Sequence, residues 1–167
     1  MARLDYADES GEVADRIRAR RGGRLTPLDR MLLHSPPFAD GWNSLLGAIR
    51  KQGVLPATVR ELAILRVAEL NGAEYEWTAH ALVAAEAGLP AEEIEALREG
   101  ADLSVLDERQ LAVLAYTDAM TKQVAVPDEV FLALQKHFAE QEIVELTVTV
   151  GAYNLVSRFL VALEVGQ

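Results

Sequence analysis

Apolar positions recur at helical spacing along nearly the whole chain, and proline, glycine and asparagine punctuate them. Thr26 followed by Pro27 reads as a cap and a first turn, opening a helix with Leu28, Met31, Leu32 and Leu33 on its inner side. Pro36 and Pro37 end it, and a second helix runs from about Phe38 to Lys51 with Trp42, Leu45, Leu46 and Ile49 inward. Gly53 and Pro56 close that interval. From about Ala57 to Leu70 the chain is apolar on all but a narrow charged side, the mark of a helix buried around much of its circumference. Asn71-Gly72 is a natural stop, and the next helix, about Ala73 to Ala87, ends at Gly88 with Pro90 close behind.

Further helices are expected over about Ala91 to Arg98, closed by Gly100, over Asp107 to Met120, and from Pro127 through Phe131, Leu132, Leu134 and Phe138. The segment Glu142 to Val165 is ambiguous. Ile143 to Val150 is rich in β-branched residues and suits a strand, but no second strand candidate exists to pair with it, so helix is the better reading. The fold class is therefore all-α, with one domain over residues 25–167 that includes an N-terminal helical extension over about 25–51. Residues 1–24 read as an arm, partly helical or mobile.

Against this background a few ionisable groups fall where apolar surface should lie. At about 100° per residue, Glu61 sits between Ile64, Leu65 and Ala68, while Arg66 and Glu69 fall on another side. In the next helix Ala73, Glu76, Trp77, His80, Val83, Ala84 and Ala87 share a face, with Glu74, Thr78, Ala81 and Ala85 opposite. Glu76 and His80 thus stand one turn apart on the inward side, and Glu61 is close enough in sequence to pack against them. Burial disfavours the charged form of either residue type and pairing favours it, so either balance can bring proton exchange near neutrality. Such groups suit general acid/base chemistry; a buried, hydrogen-bonded pair that only orients helices is the alternative. A metal reading would use Glu76 and His80 with Glu61, but the ligand set is incomplete and no metal is expected. His34 and His137 read as surface or packing residues, and Tyr75 points away from the acid face.

Composition narrows the function classes. The chain has 167 residues, half of them hydrophobic and a quarter charged, enough for one buried core. Its net charge of -10 offers no extended basic face, which argues against a nucleic-acid partner. The dense basic cluster Arg16, Arg18, Arg20, Arg21 and Arg24, interrupted by Gly22 and Gly23, reads as a solvated arm. With no cysteine there is no disulfide, thiolate nucleophile or cysteine-ligated metal. The first residues do not read as a signal peptide, and no stretch reaches the roughly 20 apolar residues of a membrane span, so no membrane partner and a cytoplasmic location are expected.

Several segments in order resemble the carboxymuconolactone decarboxylase and alkylhydroperoxidase D superfamily of small helical proteins. They are Leu55-Pro56 before Arg60-Glu61-Leu62, then Ala73-Glu74-Tyr75-Glu76-Trp77 with His80, then Ala87-Gly88-Leu89, and later Gly151-Ala152-Tyr153-Asn154. The resemblance spans roughly Leu25 to Val165. In the family's peroxidase branch a Cys-x-x-Cys pair precedes the histidine; here Ala73 and Glu76 hold those places, while His80 and Glu61 match the histidine and the relay glutamate. Thiol-dependent peroxide reduction is thereby disfavoured. The lactone decarboxylase branch is similar in having glutamate and histidine at the Glu76 and His80 positions. The resemblance implies Glu61, Glu76 and His80 as catalytic groups, with Glu76 or His80 protonating the substrate carbon as carbon dioxide leaves. Arg60, Arg66 and Trp77 are the expected substrate-binding residues, the arginines on charge alone.

The function expected is a cofactor-independent acid/base lyase or isomerase acting on a small carboxylated lactone or enolisable molecule, in a homo-oligomer, trimer or hexamer. An alkylhydroperoxidase-like antioxidant protein and a non-catalytic helical oligomer are the alternatives.

Overall fold

The computed structural model describes residues 1–166, and among them the chain is helical with no strand. Two compact units divide it. The first comprises Met1–Gly53 and the residues from Leu160 onward; the second is Val54–Phe159.

In the first unit, α1 (Glu12–Arg20) carries acidic residues in its first turn and Arg18 and Arg20 in its last, the arrangement that complements a helix dipole. Its inward residues Ala14 and Ile17 are buried. The basic cluster is therefore not a solvated arm. Arg16 pairs with Asp40 at 3.0 Å, Arg21 with Asp29 at 2.5 Å, and Arg20 donates to Asn43. Its apolar residues are few but keep a helical period, and it is docked by long-range pairs that sequence periodicity does not register.

Thr26 caps α2 (Pro27–Leu32) in a full capping box: the Asp29 N–H donates to its hydroxyl at 3.3 Å and its own N–H donates to the Asp29 carboxylate at 2.8 Å. Helix α3 (Pro36–Lys51) begins earlier than the apolar pattern suggests, because Pro36 and Pro37 occupy its first turn, where a missing N–H costs nothing.

The second unit is built around α4 (Ala57–Leu70), on which Val59 and the run from Glu61 to Ala68 are all buried. Helices α5 (Glu74–Ala87) and α7 (Glu108–Lys122) pack against it; α6 (Ala91–Glu95) rests on α5, and α8 (Asp128–Gln135) on α7. Leu62, Ile64 and Leu65 are within 1% of full burial. Each contributes about 1.5–3 kcal/mol by leaving water, so truncating Ile64 to Ala is a change α4 would not tolerate well. The turn into α5 uses Gly72 at φ 62°, and α5 ends at Gly88 with φ 105°, a left-handed C-cap that a side chain would strain.

The β-branched run lies inside α9 (Glu140–Leu163), a single helix. Thr147 and Thr149 fit there by donating their hydroxyls to the carbonyls of Ile143 and Glu145, at 2.6 and 2.7 Å. Contrary to the sequence reading, α9 is long and apolar enough to cross a membrane by length and composition. Half of its most apolar window is buried inside the protein, as a core helix would be.

Candidate active site

Helices α4 and α5 form a hairpin about Asn71-Gly72, and Glu61 and His80 lie at similar distances on either side of that turn. The hairpin therefore brings them face to face. His80 Nδ1–H donates to Glu61 Oε2 at 2.6 Å, with the tautomer fixed by the carboxylate, which can only accept when ionised. The other oxygen, Oε1, accepts from Arg60 Nε at 3.3 Å. The result is a chain of guanidinium, carboxylate and imidazole. Glu61 is nearly sealed, with 2% of its side chain exposed, whereas 9% of the His80 side chain reaches the surface.

A further contact fixes the imidazole. The ring of Tyr153, fully buried on α9, meets it edge-on at 5.1 Å between centroids and 88° between planes. Glu76, one helical turn before His80, is also buried. Tyr153 belongs to a segment the sequence analysis had singled out, but its contact with His80 has no local signal.

Other expected site residues lie in different surroundings. The guanidinium of Arg66 is fully engaged: Nε and Nη2 donate to the two oxygens of Asp118 at 2.6 and 2.8 Å, and Nη1 donates to the Leu97 carbonyl at 2.8 Å. The Asp118 hydrogen bond raises its pKa, outweighing the opposing effect of burial. Arg66 thus serves the packing of α4 and α7, not a charged outer side of α4, and its donors are committed to protein groups. Trp77 is buried, and the guanidinium of Arg98 lies 3.6 Å from its ring centroid, so that ring is a platform for a cation already within the protein. Of the three residues expected to bind substrate, Arg60 touches the pair, through Glu61.

The structure also assigns a role that sequence reasoning missed. Glu145 Oε2 accepts the backbone N–H groups of Val54 and Leu55, both at 2.8 Å, and so pins the chain where it enters α4. The Gln141 side-chain amide holds the Glu145 carboxyl below its ordinary value; burial opposes this, and the Leu55 and Val54 bonds add to it. At the other end of α4, Asn71 donates to Asn154 at 3.1 Å and to Ser157 at 2.7 Å, and Asn154 donates to Thr121 at 3.0 Å. Both ends of α4 are therefore tied to α9. Among the described residues no group of three or more His, Asp or Glu side chains is arranged to hold a metal ion.

The sequence pattern of the carboxymuconolactone decarboxylase family matches residues 36–119, half of the chain, and takes in α4, α5 and the Glu61–His80 pair. The chain belongs to that family. It is 25% identical over 115 residues to the uncharacterized protein YdfG of Bacillus subtilis, covering 68% of this chain and 78% of that one. Among solved structures it is similar to a putative antioxidant defence protein AhpD, of unknown function, from Agrobacterium tumefaciens: TM-score 0.75, 27% identity, 82% of this chain and 94% of that one. A peroxidase-related protein with an alkylhydroperoxidase AhpD core, from Ralstonia eutropha, superposes at a TM-score of 0.83 over 98% of this chain and 90% of its own, at 18% identity. That last likeness concerns the fold alone.

Proposed function

We propose that this protein is a cofactor-independent acid/base enzyme of the decarboxylase-like kind, acting in the cytoplasm on a small carboxylated lactone or enolisable substrate. The observation that carries the reading is the 2.6 Å contact between Glu61 and His80 in a buried setting. A histidine backed by a carboxylate has its tautomer set, and the imidazolium formed when it takes a proton is stabilised by the charge behind it. In decarboxylation the bond to the substrate carboxylate breaks, carbon dioxide leaves, and the electron pair remains on the adjacent carbon as an enolate. His80, protonated and backed by Glu61, delivers a proton to that carbon and recovers one from solvent. Glu76, one turn away, is the second candidate acid. Arg60 holds the far oxygen of Glu61, so its role here is to position the relay.

Family membership supports this chemistry more than the antioxidant alternative, because the chain has no cysteine to supply a thiolate. The test is carbon dioxide release, or proton exchange at carbon, measured across a panel of small carboxylated lactones and β-keto acids. Activity that depends on pH and is abolished by His80→Ala and Glu76→Gln is expected. Peroxide consumption driven by a dithiol would overturn the reading, and folded, ligand-free protein inactive on every panel member would favour a structural oligomer.

The reading includes a homo-oligomer, trimer or hexamer. It is supported by an exposed stripe on α9, where Val144, Val148, Gly151 and Leu155 recur at alternating intervals of four and three residues. Sedimentation of the native chain against a Val148→Lys, Leu155→Lys variant tests it; an unchanged mass would remove that support.

A further inference from the structure

Most of the buried or half-buried arginines, among them Arg21, Arg60, Arg66 and Arg98, face a carboxylate, and Arg109 does not. It forms no ion pair among the described residues; its guanidinium carbon lies 4.6 Å from the centroid of the Phe138 ring, and its Nε–H is buried with no hydrogen-bond partner. A buried donor left without an acceptor is unfavourable, and no carboxylate of the described residues pairs with this guanidinium. Arg109 also lines a cavity of about 110 Å³ between the start of α4 and the start of α7. Leu62, Leu89 and Val113 supply apolar wall there, and Thr58 a hydroxyl-bearing side chain. Asp107 lines it too, but one of its carboxylate oxygens caps α7 by accepting the Gln110 N–H at 2.7 Å. Asp107 therefore caps the helix and forms no ion pair with Arg109.

We propose that this cavity is a binding site for a small aliphatic monocarboxylate, its carboxylate on the Arg109 guanidinium and its alkyl part against Leu62, Leu89 and Val113. The cavity wall is apolar and polar in about equal measure, with Thr58, Asp107, Arg109 and Gln110 on the polar side; the arginine selects a planar anion, and the volume limits the ligand to a few carbon atoms. The adjoining Asp107 charge disfavours a dianion. Phe138 holds the guanidinium plane from one side without neutralising it. The site is distinct from the Glu61–His80 pair, and binding here requires no turnover.

The experiment titrates the full-length protein with butyrate and watches the Arg109 Nε–H and Thr58 amide resonances by nuclear magnetic resonance. Saturable shifts are expected with butyrate, with butyramide at least about tenfold weaker, the factor a charge-assisted bond supplies. Arg109→Gln should weaken butyrate binding by a similar factor, and Arg109→Lys by less. Chloride that reproduces the shifts, butyramide that binds as well as butyrate, or shifts that never saturate would each overturn the proposal. Because the ligand comparison is made on the native protein, it stands even where the Arg109 variants fail to fold.

Discussion

Helix α4 buries two ionisable side chains little more than a turn apart, and they are satisfied in different ways. Arg66 gives all its guanidinium nitrogens to groups whose state does not change at neutral pH, a carboxylate and a backbone carbonyl. Glu61 divides its oxygens between Arg60 and an imidazole, the side chain whose ordinary titration lies nearest neutrality. The first arrangement is a rivet between α4 and α7. The second couples a buried charge to a proton that can move. Burial of a charge alone does not mark a site; what distinguishes the two is the kind of partner, a carboxylate and a carbonyl for Arg66 and an imidazole for Glu61.

The comparison breaks most visibly at Arg66. Arg66→Leu leaves the Leu97 carbonyl without that donor and Asp118 with Lys122 at 3.7 Å, and should cost about 3 kcal/mol of stability in urea unfolding, with turnover of the folded fraction retained. A stable Arg66→Leu protein that is inactive would reverse the assignment. Glu61→Gln keeps the shape but offers one accepting oxygen where Glu61 uses two, so it should cost about 1–3 kcal/mol of stability while lowering the proposed turnover by about 100-fold or more. A double-mutant cycle with His80 then reports whether the two act as one unit.

Glu145 sharpens the picture, because it fixes where α4 begins. Its folded carboxyl is held below the value it has when unfolded, so its contribution is present above the unfolded value and is lost as pH falls through the folded one. Glu145→Gln should therefore cost about 1 kcal/mol at neutral pH and little near pH 3, read from denaturation midpoints at the two pH values. The smallest effect is expected at Arg98, a third exposed, whose stack on Trp77 and bond to Glu69 should be worth about 0.5–1 kcal/mol.

The helical architecture was legible because its punctuation is local. The Thr26 cap, the Asn71-Gly72 turn and the Gly88 stop each act within a turn of the chain, and the limits of α4 follow from them. The inward placement of Glu61, Glu76 and His80 was legible as well, since a helical period fixes a face. Partner choice was not. That Arg66 finds Asp118, that Arg98 covers Trp77, and that Glu145 reaches back to Val54 all depend on residues distant in sequence; charge alone pointed Arg66 toward a substrate carboxylate, and the structure gives it Asp118. Helix α1 was legible only as part of an arm read as partly helical or mobile: Ala14 and Ile17 make a short apolar signal, and the ion pairs that dock it reach residues far along the chain.

One further property follows from the uneven surroundings of the hairpin. Helix α4 is enclosed on every side from Glu61 to Ala68, whereas α5 turns Thr78, Ala79 and Leu82 outward. A fluorophore attached through Ala79→Cys, the lone thiol in a chain that otherwise has none, would sit beside His80 in sequence yet outside the core. The molecule thus offers a single-point labelling position from which events at the imidazole can be followed optically.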